Sequence, residues 1–284
     1  MCLSGWNILR AMTPLSITQH EAGQRLHRVL AGVAAQVEHD LDRIRESPES
    51  GVHSLRRRMK KLASILRFAR EHVPDRTRQQ IRQHIRLLKG AFASQRDEDV
   101  LRKLLLDFGI EARAVEFPRS RRVRVSARQF EAAVKLRDIV CNLPLHAMTW
   151  DDIASSFLRS FKRERKAWMA ADEESSAEAL HEWRKKTKAL YYQMLFIHQI
   201  TGGMTKPTKH ADSLGRWLGR HHDLDVLASR LKHDATTRRW LTAIRKRQKE
   251  LRRHIFHQAD RLHDHPPVKS TRRLADQMAT AGCM

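Results

Sequence analysis

In the stretch VHSLRRRMKKLASILRFAR, Val52 to Arg70, the residues His53, Arg57, Lys60, Lys61 and Ser64 recur at i, i+4, i+7, i+8 and i+11. That spacing puts them on one face of a helix. Arg56, Arg58, Arg67 and Arg70 add four further cations, and the stretch holds no Asp or Glu. A second stretch, LHEWRKKTKAL, sets His181, Lys185 and Lys188 on one face, with Arg184 beside them. Such a face offers N–H donors and positive charge and almost nothing else. Its chemistry is charge-assisted hydrogen bonding to an anion whose own charges are closely spaced.

The elements that must present these residues read as helices. In the first stretch Leu55, Met59, Leu62 and Leu66 fall opposite the cations, and in the second Trp183, Leu190, Met194 and Ile197 do so. Basic and apolar residues therefore occupy opposite sides of amphipathic helices. Residues 149–170 divide in the same way, with Phe157, Phe161 and Trp168 against Arg159, Lys162, Arg163 and Lys166. In residues 76–93 Arg78, Arg82, Arg86 and Lys89 form a stripe bordering Ile81, Ile85, Leu88 and Phe92. Solvated surface helices normally mix both signs of charge, and like charges at i,i+4 repel one another.

Prolines and glycines are few, 8 and 11 in 284 residues, and they interrupt long segments of helical period, so the chain reads as all-α. Helices are expected over 17–46, 52–71, 76–93, 98–107, 124–141, 149–170, 177–200, 206–220, 224–233 and 236–263. Residues 52–101 align with 180–227: His53 pairs with His181, Arg56 with Arg184, Arg57 with Lys185 and Lys60 with Lys188. Further on, SQRDEDVL aligns with HHDLDVL, pairing Asp97 with Asp223 and Asp99 with Asp225. The expected architecture is an internally duplicated unit, repeats at about 17–145 and 146–263, forming two four-helix-like bundles with a basic groove or channel between them. Residues 1–16 form an N-terminal extension and 264–284 a tail beginning at a Pro-Pro break. A basic linker, FPRSRRVRVSAR, lies near the join.

The whole chain carries 55 Lys+Arg against 32 Asp+Glu, a net charge of +23, shared almost evenly between the halves. A polyanionic partner is expected. Nucleic acid would answer the same field, yet aromatic platforms for bases are scarce: Tyr191 and Tyr192 are the only tyrosines, and Trp183, Trp217 and Trp240 lie among apolar neighbours. Cys2, Cys141 and Cys283 are too far apart in sequence for a metal-ligand or disulfide pattern. No apolar run reaches membrane-spanning length and no secretory leader is evident, so the cytosol is the expected compartment. Neither a Gly-rich phosphate loop nor a nucleophile elbow is present.

The blocks VHSLRRRMKKL…RDEDV and LHEWRKKTKAL…HDLDV resemble the CHAD family, named for its histidine-containing α-helical domain, over roughly residues 17–263. The resemblance implies a duplicated helical fold with a basic channel that binds inorganic polyphosphate, without catalysis and without a cofactor or metal, and points to association with polyphosphate granules. Carried over by position, it implies phosphate ligands at His53, Arg56, Arg57 and Lys60, with Lys61 beside them, and at His181, Arg184, Lys185 and Lys188. The companion helices would add Arg82, Arg86, Lys89, Arg159, Arg163, Arg216 and Arg220. The halves differ: Lys61 aligns with Ala189, Arg96 with His222, and Arg82, Arg86 and Lys89 with Thr208, Asp212 and Gly215.

Two alternatives stand beside this reading. One is a nucleic-acid-binding protein. The other is an all-α metal-dependent phosphohydrolase built on His221, His222 and Asp223, with His181 and Asp260 as further ligands. The aspartates before VLRKLL and VLASRL are expected to cap a helix or orient a neighbouring Arg in preference to binding metal.

Overall fold

A computed structural model describes residues 21–111, 114–115, 124–174, 176–231 and 237–264, with the side chains of residues 95 and 96 left aside. The N-terminal extension, most of the basic linker and the C-terminal tail lie outside these residues.

Among the described residues the protein is all-helical, with α1 (Glu21–Glu46), α2 (Pro48–Ile65) running into a 3-10 turn (Leu66–Ala69), α3 (Asp75–Gly90), α4 (Ala93–Phe108), α5 (Ala127–Cys141), α6 (Trp150–Glu174), α7 (Ala177–Thr201), α8 (Thr205–Arg230) and α9 (Arg238–His263). Extended pairing among them is limited to a single antiparallel bridge between Val115 and Leu231.

Local chemistry sets the helix ends. Pro48 stands at the start of α2, where its missing N–H leaves no bond unmade. Asp152 Oδ2 accepts from the Thr149 N–H (2.8 Å) and hydroxyl (2.9 Å) at the head of α6. Ser176 Oγ accepts from the Ala179 N–H (3.0 Å) at the head of α7. Gly109 and Gly202 take left-handed conformations, φ 60° and 68°, that end α4 and α7.

Helices α1, α2, α3 and α5 pack on one another as one group, and α6, α7, α8 and α9 as a second. The groups join where α2 packs on α7, α4 on α8, and the 3-10 turn on α6. One apolar cluster runs through both, from Ala22 and Leu26 of α1 to Leu262 of α9. Gln193 Nε2 donates to the Ser64 carbonyl at 3.0 Å and Phe68 meets Phe196 at 5.3 Å between ring centroids, so the α2–α7 seam is fixed by both a buried hydrogen bond and ring packing.

Two sequence expectations are corrected. The helices expected at 206–220 and 224–233 are one helix, α8, because Leu214, Leu218, His221, Leu224 and Leu227 continue a single buried stripe through the HHD triplet. Asp97, Asp99, Asp223 and Asp225 consequently do not cap anything: the residues preceding α4 and α8 are Phe92 and Met204, and all four aspartates lie inside those helices.

Candidate functional site

The rotation of each basic helix is set from its buried side. Asp40 of α1, 1% exposed, accepts from Ser54 Oγ at 2.8 Å and from Arg58 Nη2 at 3.1 Å, with Arg58 Nε also bonded to it. Arg58 is thereby turned back toward α1, and the opposite side of α2 presents His53 and Arg57 to solvent, with Arg56, Lys60 and Lys61 half-buried. On α7 the anchor is Glu164 of α6, fully buried, whose Oε1 accepts from Trp183 Nε1 at 2.6 Å and Thr187 Oγ1 at 3.0 Å. His263 Nε2 lies 3.1 Å from the other carboxylate oxygen without hydrogen-bond alignment, and its ring stacks on Trp168. With Trp183 and Thr187 held inward, Arg184, Lys185 and Lys188 fall on other sides of α7.

Three groups of cations result. In the first, Arg56 Nη1 donates to the Lys89 carbonyl at 3.0 Å, tying α2 to the last turn of α3, where a positive charge suits the helix dipole. Lys89 is held below the ordinary lysine range by burial and then by the charges of Arg56 and of Lys185 from α7. Lys185 also contacts Glu182 one turn away. Lys61 is lowered in the same way, by burial and then by Arg58 and Arg57.

In the second group Arg67, exposed at the surface of the 3-10 turn, is pushed down by partial desolvation and then by Arg163 of α6 and Arg82 of α3. Its backbone carbonyl accepts from Ser156 Oγ at 3.0 Å, which docks the turn on α6. Arg159 is drawn to the rim, 3.8 Å from Glu71, and Arg86 is exposed on α3.

The third group joins α7 and α8. Gly215 and Gly219 leave the α8 surface flat, and the side chains of Lys188 and Arg184 lie across it: a Cβ on Gly215 would stand 2.8 Å from Lys188 Cε, and one on Gly219 3.7 Å from Arg184 Nε. Lys188 Nζ is 3.7 Å from Asp212 Oδ1, and Arg216 Nη1 donates to Asp212 Oδ2 at 2.8 Å. Burial lowers Lys188, Asp212 works against that, and Arg184 and Arg216 add to it. Tyr192 is pushed up to about 12 by burial first, with Tyr191 and Asp212 reinforcing the shift and Arg57 of α2 opposing it. Arg220 instead covers the Trp217 ring, 4.9 Å from its centroid.

At one end of this surface His181 Nδ1 and His222 Nδ1 face each other at 3.2 Å. In the neutral pair one nitrogen donates and the other accepts, so protonating both is opposed. Burial, Arg184 and His181 bring His222 down to about 4, and burial, Lys185 and Arg184 lower His181. His221 turns elsewhere, to Asp225 Oδ2 at 3.2 Å, and the other Asp225 oxygen accepts from Gln248. Asp225 thus orients a histidine and an amide where an Arg was expected. No group of three or more His, Cys, Asp or Glu among the described residues is placed to hold a metal.

Direct contacts join Arg56 to the Lys89 backbone and Lys188 and Arg216 to Asp212, with Arg184 lying across Gly219, while Lys185 acts on Lys89, Arg82 and Arg163 on Arg67, and Arg57 on the tyrosines through charge. The structure sets Arg159 and Arg220 on other partners. Arg67 is not singled out by the sequence reading although it lies about four helical turns beyond His53 in the same acid-free stretch, and that phase is the available signal. Asp212 was noted only as a missing cation.

No described helix is long and apolar enough to cross a membrane. The family model for the CHAD domain matches residues 28–232, which takes in the helices from most of α1 through α8 and leaves α9 outside. No curated protein and no solved structure matches the chain.

Proposed function

The chain belongs to the CHAD family, and from that premise we propose that it binds inorganic polyphosphate, without catalysis, along a basic surface shared by α2, α3, α6, α7 and α8. The observation that carries this reading is convergence of cations from neighbouring helices: Arg56 of α2 bonds to the end of α3 at Lys89, and Lys188 of α7 and Arg216 of α8 meet at Asp212. Desolvation and then neighbouring cations lower Lys61, Arg67 and Lys89, and at Lys188 desolvation is opposed by Asp212 and reinforced by Arg184 and Arg216; for Arg67, Lys89 and Lys188 cations of other helices take part. A folded protein that holds cations in this way is stabilised by any anion that threads between them. Phosphate groups in a chain match that need without asking for base recognition.

The sequence repeat gives the surface its two sides. His53, Arg56, Arg57 and Lys60 lie on α2 and their aligned partners His181, Arg184, Lys185 and Lys188 on α7, and α2 packs on α7. The basic groove of this reading is that seam, flanked by α3 and α8. Where polyphosphate is stored, the same surface would bring the protein to polyphosphate granules.

Titration with long-chain polyphosphate and, in parallel, single-stranded nucleic acid of matched charge, at physiological salt with metal and with chelator, tests the proposal. Tight, metal-independent binding that strongly prefers polyphosphate is expected. Equal or better binding of nucleic acid would replace it with the nucleic-acid reading. Metal-dependent consumption of polyphosphate would replace it with a hydrolase.

A further inference from the structure

Asp212 is a carboxylate inside a cluster of cations. One oxygen takes the Arg216 guanidinium at 2.8 Å and the other lies 3.7 Å from Lys188 Nζ. The stem of Lys188 lies against the flat surface at Gly215. The Asp212 charge is also felt at Tyr191 and Tyr192, the tyrosines that Arg57 of α2 opposes, so it stands near the α2–α7 seam. Two oxygens that receive a guanidinium and an ammonium from different helices occupy the place a phosphate group would take.

Building on the polyphosphate reading, we infer that Asp212 is a built-in counter-ion that competes with the ligand and sets how strongly phosphate chains are held at the α7–α8 end of the surface. In the free protein it neutralises one of the two charges of Lys188 and Arg216. A phosphate entering this cluster must displace the carboxylate from both cations and then tolerate its negative charge close by. An anion with few phosphates gains little from that exchange. A long chain already held at Arg56, Lys89 and Lys185 presents its next phosphates at high local concentration, so it alone can compete with Asp212. The residue aligned with Asp212 on α3 is Arg86, exposed and of opposite sign, so no carboxylate stands at the equivalent place there, and Glu182 pairs with Lys185 within α7 alone.

The test compares Asp212→Asn, which keeps the side-chain shape, with Glu131→Gln, which adds the same charge on exposed α5, where Glu131 pairs with Lys135. Long-chain polyphosphate and tripolyphosphate are titrated into the full chain at several salt concentrations, with circular dichroism confirming the fold and Asp212→Ser as a second variant. Asp212→Asn is expected to bind long chains about tenfold more tightly than wild type and to steepen the dependence of log K on log salt by about one phosphate contact. It should also raise affinity for tripolyphosphate, while Glu131→Gln changes either by less than about twofold. The gain should vanish when Lys188→Gln and Arg216→Gln are already present, since the effect runs through those cations. A gain no larger than that of Glu131→Gln, or one that survives without Lys188 and Arg216, would overturn the inference. If wild type and Glu131→Gln both fail to bind polyphosphate, the polyphosphate reading itself falls.

Discussion

Arg56 and Lys89 meet at the end of α3 through a hydrogen bond to a backbone carbonyl, with the charge of Lys185 acting on Lys89, whereas Lys188 and Arg216 meet on α8 through the Asp212 carboxylate. Both ends of the surface hold cations from neighbouring helices. They differ in what keeps those cations in place: at α3 Arg56 rests on a neutral carbonyl and Lys185 pairs with Glu182 of its own helix, and at α8 one carboxylate lies between cations of two helices. On the polyphosphate reading, a phosphate chain gains more at the α3 end, and its gain is limited at the α8 end, where it must displace a carboxylate shared by two helices.

The largest expected effect breaks the open end. Arg56→Gln, Lys89→Gln and Lys185→Gln combined should weaken binding of long-chain polyphosphate by about a hundredfold or more at physiological salt, since hydrogen bonds to charged groups each contribute about 1.5–3 kcal/mol. The salt dependence should flatten by two to three contacts, roughly one per neutralised phosphate. Anisotropy titrations at several salt concentrations would measure both, and a loss under about tenfold would mean that the chain is held elsewhere.

The glycines draw the same contrast in the fold. Gly51 lies where the start of α2 folds against the end of α1, and a Cβ there would stand 2.6 Å from the Ile44 backbone nitrogen. Gly51→Ala should lower stability by about 1–3 kcal/mol, because backbone cannot move aside as a side chain can. At Gly219 the added Cβ meets Arg184 at 3.7 Å, an ordinary contact, so Gly219→Ala should raise stability by about 0.5–1 kcal/mol through helix propensity. Denaturant midpoints would show the opposite signs.

Single substitutions sharpen the comparison with smaller effects. Lys89→Gln should weaken polyphosphate binding by about tenfold, one charge-assisted bond. Lys188→Gln should weaken it by only about twofold to threefold, because its charge is already shared with Asp212 in the free protein. Equal losses at the two positions would erase the asymmetry between the ends.

Much of the fold was legible because amphipathic period alone decides it. The apolar phase of VHSLRRRMKKL put Leu55, Met59 and Leu62 inside, and all three are fully buried. The join within α8 was misread because a polar triplet, His221-His222-Asp223, looks like a break until His221 is seen to be buried against the same stripe as Leu218 and Leu224. In the site, the residues on α2 and α7 could be found by phase, since each lies on the face opposite a known core. Which of them meet could not, because that depends on helix crossings. Arg220 shares a helix with Arg216 yet sits over Trp217, and Asp212 enters the site only because α8 crosses α7 at its glycines.

The smallest effect separates the ends by pH. His222 sits at about 4 in the folded protein against an ordinary 6.5, so between those values the unfolded chain binds the additional proton. A depressed histidine contributes stability that is present above pH 6.5 and is lost as pH falls toward 4. Water reaches part of the ring and screens the charges around it, which keeps the effect modest. A bound phosphate chain reverses the local field, raises the histidine and stabilises its protonated form. The melting temperature of the free protein should therefore decline from pH 7 to 5 at constant ionic strength, while the increment added by polyphosphate grows over the same range. His222→Asn should flatten both slopes, because the proton that links ligand to fold is carried by the ring facing His181. An increment that stays constant with pH would leave the histidine pair a structural contact and place the whole of the binding on Lys and Arg.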